Sequence, residues 1–433
     1  MDKYKYETTV KGLWDVTGMV SLGVILVFYC YYLTGILHFE TSQTKESSSG
    51  LSVVASYLSF ATGFIFRPLG AIYFGALADT AGKKRALVKS FKMLGVVSLC
   101  MALLHESYMP ANVVSVFVII VRLLQGFATA GTVTCAIAYI YDLAPTLEKG
   151  RFTSWLQMAA PSGYLIAMAI VILFKLFVSA EDLGIWGWRV CFLLSGLIYP
   201  LAVYIDRKFP DVPLTYDRET SAISHLKNLL SDKSALKRIF TFALFIAINV
   251  GVLAYFFNLY RLYFLGPLLK VPSDAIGFIV AISSLFLLPL YPLFGVISDR
   301  VGRTKMCLAG AFLGIAVIFP YFYFMQKFAG VGGIGANKAA LIIIMVLTGF
   351  VITLSYAPVV ALVCDSVESR YRAVSFGVIY NIGFSFIPSL LQIAGSYFYD
   401  KNASIYGGIY AALIVATLAG GISYLIRPKR TTA

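Results

Sequence analysis

Gly75-Ala-Leu-Ala-Asp79-Thr-Ala-Gly82-Lys83-Lys84-Arg85 and Gly295-Val-Ile-Ser-Asp299-Arg300-Val-Gly302-Arg303-Thr-Lys305 carry one pattern twice, 220 residues apart. In each, an aspartate stands four residues after a glycine, a second glycine follows three later, and basic residues come next. A second pair repeats with it: Asp142 has Lys149 seven residues on, and Asp365 has Arg372 seven residues on. Gly75, Gly82, Gly295 and Gly302 suit tight helix-to-helix turns with close backbone approach. The aspartates suit a neighbouring helix N-terminus or an adjacent cation. Such loop chemistry at matching places in two halves indicates an internal duplication. It is the organisation of a carrier that rocks one half against the other, with these residues as gates.

The segments between the loops decide the solvent. Of 433 residues, 59% are hydrophobic and 13% charged, and the mean hydropathy is +0.82. That composition excludes a water-soluble enzyme, a nucleic-acid-binding protein and a disordered chain. Twelve apolar runs are each long enough to cross a bilayer, at about 17–37, 53–78, 87–104, 113–138, 153–178 and 186–206, then 239–265, 276–297, 306–325, 339–363, 374–397 and 405–426. We number them spans 1 to 12. The longest polar connection runs from Arg207 to Arg238 and divides them six and six. The reading is an all-α integral membrane protein with an N-terminal six-helix bundle over 1–206, a cytoplasmic linker over 207–238 and a C-terminal bundle over 239–433.

Charge sets the orientation. With a cytoplasmic N-terminus, inner segments hold 25 of the 35 Lys and Arg and outer segments eight at most, Arg261 among the latter. Both termini are therefore expected inside, in a multi-pass protein of the plasma membrane. No small-residue cleavage site follows span 1, which predicts a retained helix rather than a signal peptide. The six cysteines all fall in spans and none is spaced C-x-x-C, so neither a metal site nor a disulfide framework is expected. No G-x-x-x-x-G-K-[ST] stretch occurs, so ATP-driven pumping by this chain is excluded. The expected partners are a small-molecule substrate and the lipid bilayer, with no cofactor, no nucleic acid and a monomeric carrier.

The doubled loop resembles the hallmark of the major facilitator superfamily. Within it, the chain is most similar to the metabolite:proton symporters, carriers of citrate, 2-oxoglutarate, shikimate and proline or betaine. The residues behind that likeness are Phe66-Arg67-Pro68-Leu69-Gly70, Arg122-Leu-Leu-Gln125-Gly126, Ser154-Trp155-Leu156, Trp186-Gly187-Trp188-Arg189 and Tyr380-Asn381-Ile-Gly383. The resemblance implies twelve helices in two pseudo-symmetric bundles and transport by alternating access. The chain also departs from the family pattern. Where such proteins show G-N-x-x-E-W-Y-D in span 1, this one has Val27 and Cys30 in place of the carboxylates, and Thr132 stands for a glutamate in span 4. Without an acid in mid-membrane, the residues point to a uniporter, an exchanger, or a proton carried on the substrate.

What remains in the membrane is cationic. Arg67 lies about 21 Å into span 2 and Arg122 about 13 Å into span 4, both inside a hydrocarbon layer of about 30 Å. A charge there is a functional candidate by default. Arg122, Gln125, Thr129 and Thr132 recur on one face of span 4, and Asn381, Ser385 and Gln392 on one face of span 11. Tyr29, Tyr32, Tyr164, Asn249, Tyr255 and Asn258 add donors from spans 1, 5 and 7. Each Ser, Thr or Tyr taken alone serves equally well as interhelical glue. The reading favours a secondary transporter of a small organic anion with Arg122 as anchor, since guanidinium matches carboxylate in a bidentate fork. A facilitator or symporter of a neutral or zwitterionic solute, or a transporter-like sensor, stays open beside it.

Overall fold

The computed structural model describes residues 10–44, 66–103, 111–179, 182, 186–209, 211–212, 221–238, 243–330, 335–391 and 406–426. Residues 53–65 of span 2, residues 213–220, Gln392, Lys3 and Lys5, and the basic residues Arg427, Lys429 and Arg430 lie outside this set. Among the described residues the regular structure is helical throughout, without strands. Nine of these helices are long and apolar enough to cross a membrane, and Leu244–Asn258 is a shorter apolar helix.

In the first half these are α1 (Val10–Thr44), α2 (Arg67–Ala81), α3 (Lys83–Ala102), α4 (Ala111–Leu143), α5 (Lys149–Phe177), α6 (Trp188–Ser195) and α7 (Ile198–Lys208). Next come α8 (Ala222–Ser231) and α9 (Lys233–Arg238), in the stretch read from sequence as a linker. The second half holds α10 (Leu244–Tyr255), a one-turn α11 (Arg261–Tyr263), α12 (Ser273–Leu287), α13 (Leu290–Val301), α14 (Arg303–Phe328), α15 (Lys338–Ser366), α16 (Arg372–Asn381) and α17 (Gly407–Leu425). Span 8 is broken into α12 and α13 at Leu288-Pro289, where proline cannot donate to the helix ladder.

The duplicated loops fold alike. A single glycine joins α2 to α3 and another joins α13 to α14, and Gly82 and Gly302 both sit at φ 110°. That backbone favours glycine, and it makes the turn one residue long. Lys83, Lys84, Arg85, Lys89 and Lys92 are consequently residues of α3 rather than of a loop. Arg261, which the charge count assigned to an outer connection, is also helical. Turns of π-helix at Phe256–Tyr260 and Phe264–Leu268 carry span 7 past it, and its side chain is buried.

Contacts divide the chain into two compact units, Met1–Leu143 with Met158–Ala222, and Ala144–Gln157 with Ile223–Ala433. The continuous helix α5 therefore begins in the second unit and continues in the first. Within the first unit α2 and α4 cross so closely that a Cβ on Gly70 would lie 2.1 Å from the Phe127 carbonyl oxygen. Within the second, Gly251 of α10 meets Gly383 just after α16 on the same terms, a Cβ on Gly251 falling 2.1 Å from the Gly383 carbonyl oxygen. Small residues at such crossings let membrane helices gain van der Waals contact that a hydrophobic effect does not supply in lipid.

Candidate functional site

In the first unit the polar groups gather where α1, α3 and α4 meet. Arg122 of α4 is 6% exposed, and its buried Nε has no hydrogen-bond acceptor. Tyr31 and Cys30 of α1 lie near enough to act on its charge. One turn further along α4, Gln125 donates from Nε2 to Cys30 Sγ at 3.5 Å, and Cys30 Sγ lies 3.2 Å from Ser98 Oγ of α3. Arg67, at the start of α2, stands over the ring of Tyr31 at 4.6 Å from its centroid. Tyr31 thus lies close to both arginines.

The other candidates of this unit are placed differently. Tyr29 turns away and donates to the Cys191 carbonyl of α6 at 2.7 Å. Thr132 donates to Ser90 of α3 at 3.1 Å, and Thr129 is buried. Tyr32 is half-buried and meets Tyr164 of α5 edge-on, with ring centroids 5.4 Å apart. Sequence reasoning chose Tyr29 and Tyr32 and passed over Tyr31. In a helix that is apolar all round, no polar face marks which neighbour looks inward.

In the second unit three asparagines hold backbone. Asn249 donates to the Ala416 carbonyl of α17 at 2.6 Å, Asn258 to Ala254 and Asn381 to Gly377, each at 2.8 Å. Asn258 lies in the π-turn Phe256–Tyr260, and Ser385 is buried in another, Ile382–Phe386. Tyr255 is buried in the last turn of α10. Turns of π-helix are frequent at functional sites. A residue the sequence reading missed is Gln157 of α5. It donates to the Tyr356 carbonyl of α15 at 3.1 Å, and its Oε1 faces the Tyr380 hydroxyl at 3.5 Å. Tyr380 stacks on Phe384 at 4.5 Å, Tyr356 meets Phe384 edge-on at 5.5 Å, and Tyr291 meets Tyr356 at 5.9 Å. The signal available in sequence was scarcity, because Gln157 is one of five glutamines and lies four residues before Pro161.

The residues expected to act as gates repeat as geometry, unit by unit. Lys83 at the start of α3 pairs with Asp142 at the end of α4, and Arg303 at the start of α14 pairs with Asp365 at the end of α15. Asp299 also accepts from Arg303, at 2.7 Å from Nη2. Its carboxylate caps α5, taking the backbone N–H groups of Gly150 at 2.9 Å and Arg151 at 2.8 Å. Lys149 lies within electrostatic reach of Asp365, Arg303 and Arg372. Gly295 gives α5 its approach, since a Cβ there would fall 2.2 Å from Ser154 Oγ. Gly75 is buried in α2, four residues before Asp79.

The family model of the Major Facilitator Superfamily matches residues 16–269 and 252–433. The chain belongs to the Major Facilitator Superfamily. Among curated relatives, it is 26% identical over 259 residues to a putative proline/betaine transporter of Staphylococcus haemolyticus, covering 59% of this chain and 55% of that protein. It is 24% identical to the shikimate transporter of Escherichia coli strain K12, covering 69% of each, and 23% identical to the proline/betaine transporter of Salmonella typhimurium, covering 71% and 64%. The chain spans about half to two thirds of the length of these relatives. Among solved structures, the xylose transporter XylE from E. coli in a partially occluded inward-open conformation aligns with a TM-score of 0.69 at 17% identity, over 97% of this chain and 99% of that one. A double-tryptophan mutant of XylE aligns with a TM-score of 0.75 at 16% identity, over 98% and 97%. At that identity the likeness carries the fold alone, and the fold is the all-α, twelve-helix membrane fold of the superfamily.

Proposed function

We propose that this superfamily member is a secondary transporter that moves a small carboxylate-bearing solute across the plasma membrane by alternating access, with Arg122 as the carboxylate anchor. One observation carries the reading: Arg122 is 6% exposed and its buried Nε has no acceptor among the described residues. A buried donor left unpaired costs about 1 to 3 kcal/mol, a cost that an anionic ligand at this donor would offset. Shikimate, proline and betaine, the solutes in the relatives' names, share a carboxylate, which supports the same anchor. On this reading the six-helix halves are 1–206 and 239–433, the linker is 207–238, both termini are cytoplasmic and the carrier is monomeric.

A neutral polyol or sugar is the second reading. It rests on Gln157 and the Tyr356, Tyr380 and Phe384 rings, an amide beside aromatic faces of the kind that holds a hydroxylated ring. One experiment separates the two. Purified protein is screened by thermal shift against shikimate, succinate, proline, glycine betaine and xylose, in wild-type and Arg122→Lys forms. The anchor reading expects stabilisation by a carboxylate and its loss in the lysine form. Stabilisation by xylose alone, unchanged in the lysine form, refutes it.

A further inference from the structure

The surroundings of Arg122 bear on how the carrier returns after release, a point resting on the anchor reading above. The sequence holds no Asp or Glu from 16 to 39, from 66 to 78 or from 107 to 141. On α4 the only acid is Asp142, 20 residues from Arg122 and so about 30 Å along the helix. On α1, Asp15 and Glu40 stand 15 and 10 residues from Cys30, about 22 and 15 Å away in the same measure. On α2, Asp79 is 12 residues from Arg67, about 18 Å. Among the described residues, the ionisable groups within electrostatic reach of Arg122 are a phenol and a thiol, Tyr31 and Cys30. Gln125 donates from Nε2 to the thiol, and Ser98, whose hydroxyl donates to the Leu94 carbonyl at 2.8 Å, lies 3.2 Å from the same sulfur.

We infer that Arg122 has no carboxylate counter-charge among the described residues, and that the protein therefore works as an anion exchanger. In a state open to either side, water solvates the guanidinium. In the occluded state between them it is dry, and a bare buried cation is far costlier there than one paired with a carboxylate. Loaded with a monoanion such as shikimate, the carrier crosses as a neutral pair. The empty carrier has to carry the charge alone. Each 1.36 kcal/mol of that difference slows the empty step tenfold, so exchange outruns net transport by about tenfold or more. The location also names the residue that decides the mode. Cys30, beside Arg122, occupies the place where a carboxylate would supply the counter-charge from within.

Full-length protein is reconstituted in proteoliposomes, and uptake of two labelled monoanions, shikimate and lactate, is measured into vesicles that are empty or preloaded with the same solute. Wild type is expected to take up at least about tenfold faster into loaded vesicles. Cys30→Asp, or Gln125→Glu where the first variant folds poorly, is expected to bring that ratio close to one by raising uptake into empty vesicles. Equal uptake into empty and loaded vesicles by wild type overturns the exchanger while leaving the anchor intact. A second measurement needs no substrate. In ligand-free protein, Arg122→Met and Cys30→Asp are each expected to raise the melting temperature by about 2 to 4 °C, because each removes or pairs the bare charge. A fall in melting temperature with Arg122→Met shows that the arginine has a protein partner, and it overturns the inference even if neither solute is carried. Transport by Arg122→Met at the wild-type rate refutes the anchor reading instead.

Discussion

Replacing Asp299 by asparagine tests the gate at its best-defined contact. The carboxylate is 6% exposed and accepts four donors: Gly150 N at 2.9 Å, Arg151 N at 2.8 Å, and Arg303 Nε and Nη2 at 3.0 and 2.7 Å. Hydrogen bonds to a charged group contribute about 1.5 to 3 kcal/mol each, and a partly buried anion at a helix N-terminus up to about 2 kcal/mol. These effects overlap. Asparagine keeps the shape and one acceptor but turns an N–H₂ toward donors, so the net loss is about 2 to 4 kcal/mol. The N-terminus of α5 then leaves α13 more often, by about thirtyfold to several hundredfold. The readout is a cysteine in place of Ser298, a fully buried residue at this contact, labelled by a membrane-impermeant maleimide in inside-out vesicles. Labelling is expected to accelerate at least tenfold in the Asp299→Asn background. Gly150→Ala is expected to do the same, since its Cβ would lie 2.6 Å from Asp299 Oδ1. An unchanged labelling rate in a variant of unaltered melting temperature refutes the cap as the fastening of α5.

Three further outcomes follow from the geometry. Gly383→Ala places a Cβ 2.6 Å from the Ala247 backbone carbon, so α10 and the helix after α16 are forced apart, and the melting temperature is expected to fall by several degrees while Gly421→Ala, with open space around it, leaves it unchanged. Lys84 donates to the carbonyls of Asp206 and Phe209 at 3.0 and 2.6 Å and so caps the end of α7; Lys84→Met is expected to increase tryptic cleavage at Arg207 and Lys208 several-fold, measured by peptide mapping. With no acid in mid-membrane, a protonophore is expected to change initial uptake of an ionised substrate in proteoliposomes by less than about twofold, and a several-fold stimulation by an inward proton gradient refutes that expectation.

The duplicated loop was legible because its chemistry depends on local spacing. A glycine at φ 110°, an aspartate three residues before it and a basic residue after it fix the same one-residue turn in both units, and sequence displays all three. The end of span 7 was legible only in part, because a π-turn costs no apolar residue. Phe256–Tyr260 and Phe264–Leu268 read as ordinary hydrophobic sequence, so the span was drawn through 265, yet Arg261 was still counted with the charges of an outer connection; it bonds the Asn258 carbonyl at 3.1 Å inside the helix. The candidate site divides on the same physical line. In a soluble helix, polarity marks the face away from the core; in lipid it marks the face toward it, and only residues costly to bury report direction. Arg122 and Gln125 are of that kind. Tyrosine is not: its ring is tolerated on every side, so Tyr29, Tyr31 and Tyr32 are indistinguishable in sequence, although one holds the Cys191 carbonyl, one lies under Arg67 and one faces Tyr164. Gln157 carried the same cost as Gln125 without a charged neighbour on its helix face to announce it. In membrane helices, then, an isolated amide is as strong a pointer to the interior as an isolated arginine, and it is the more easily overlooked because no charge count includes it.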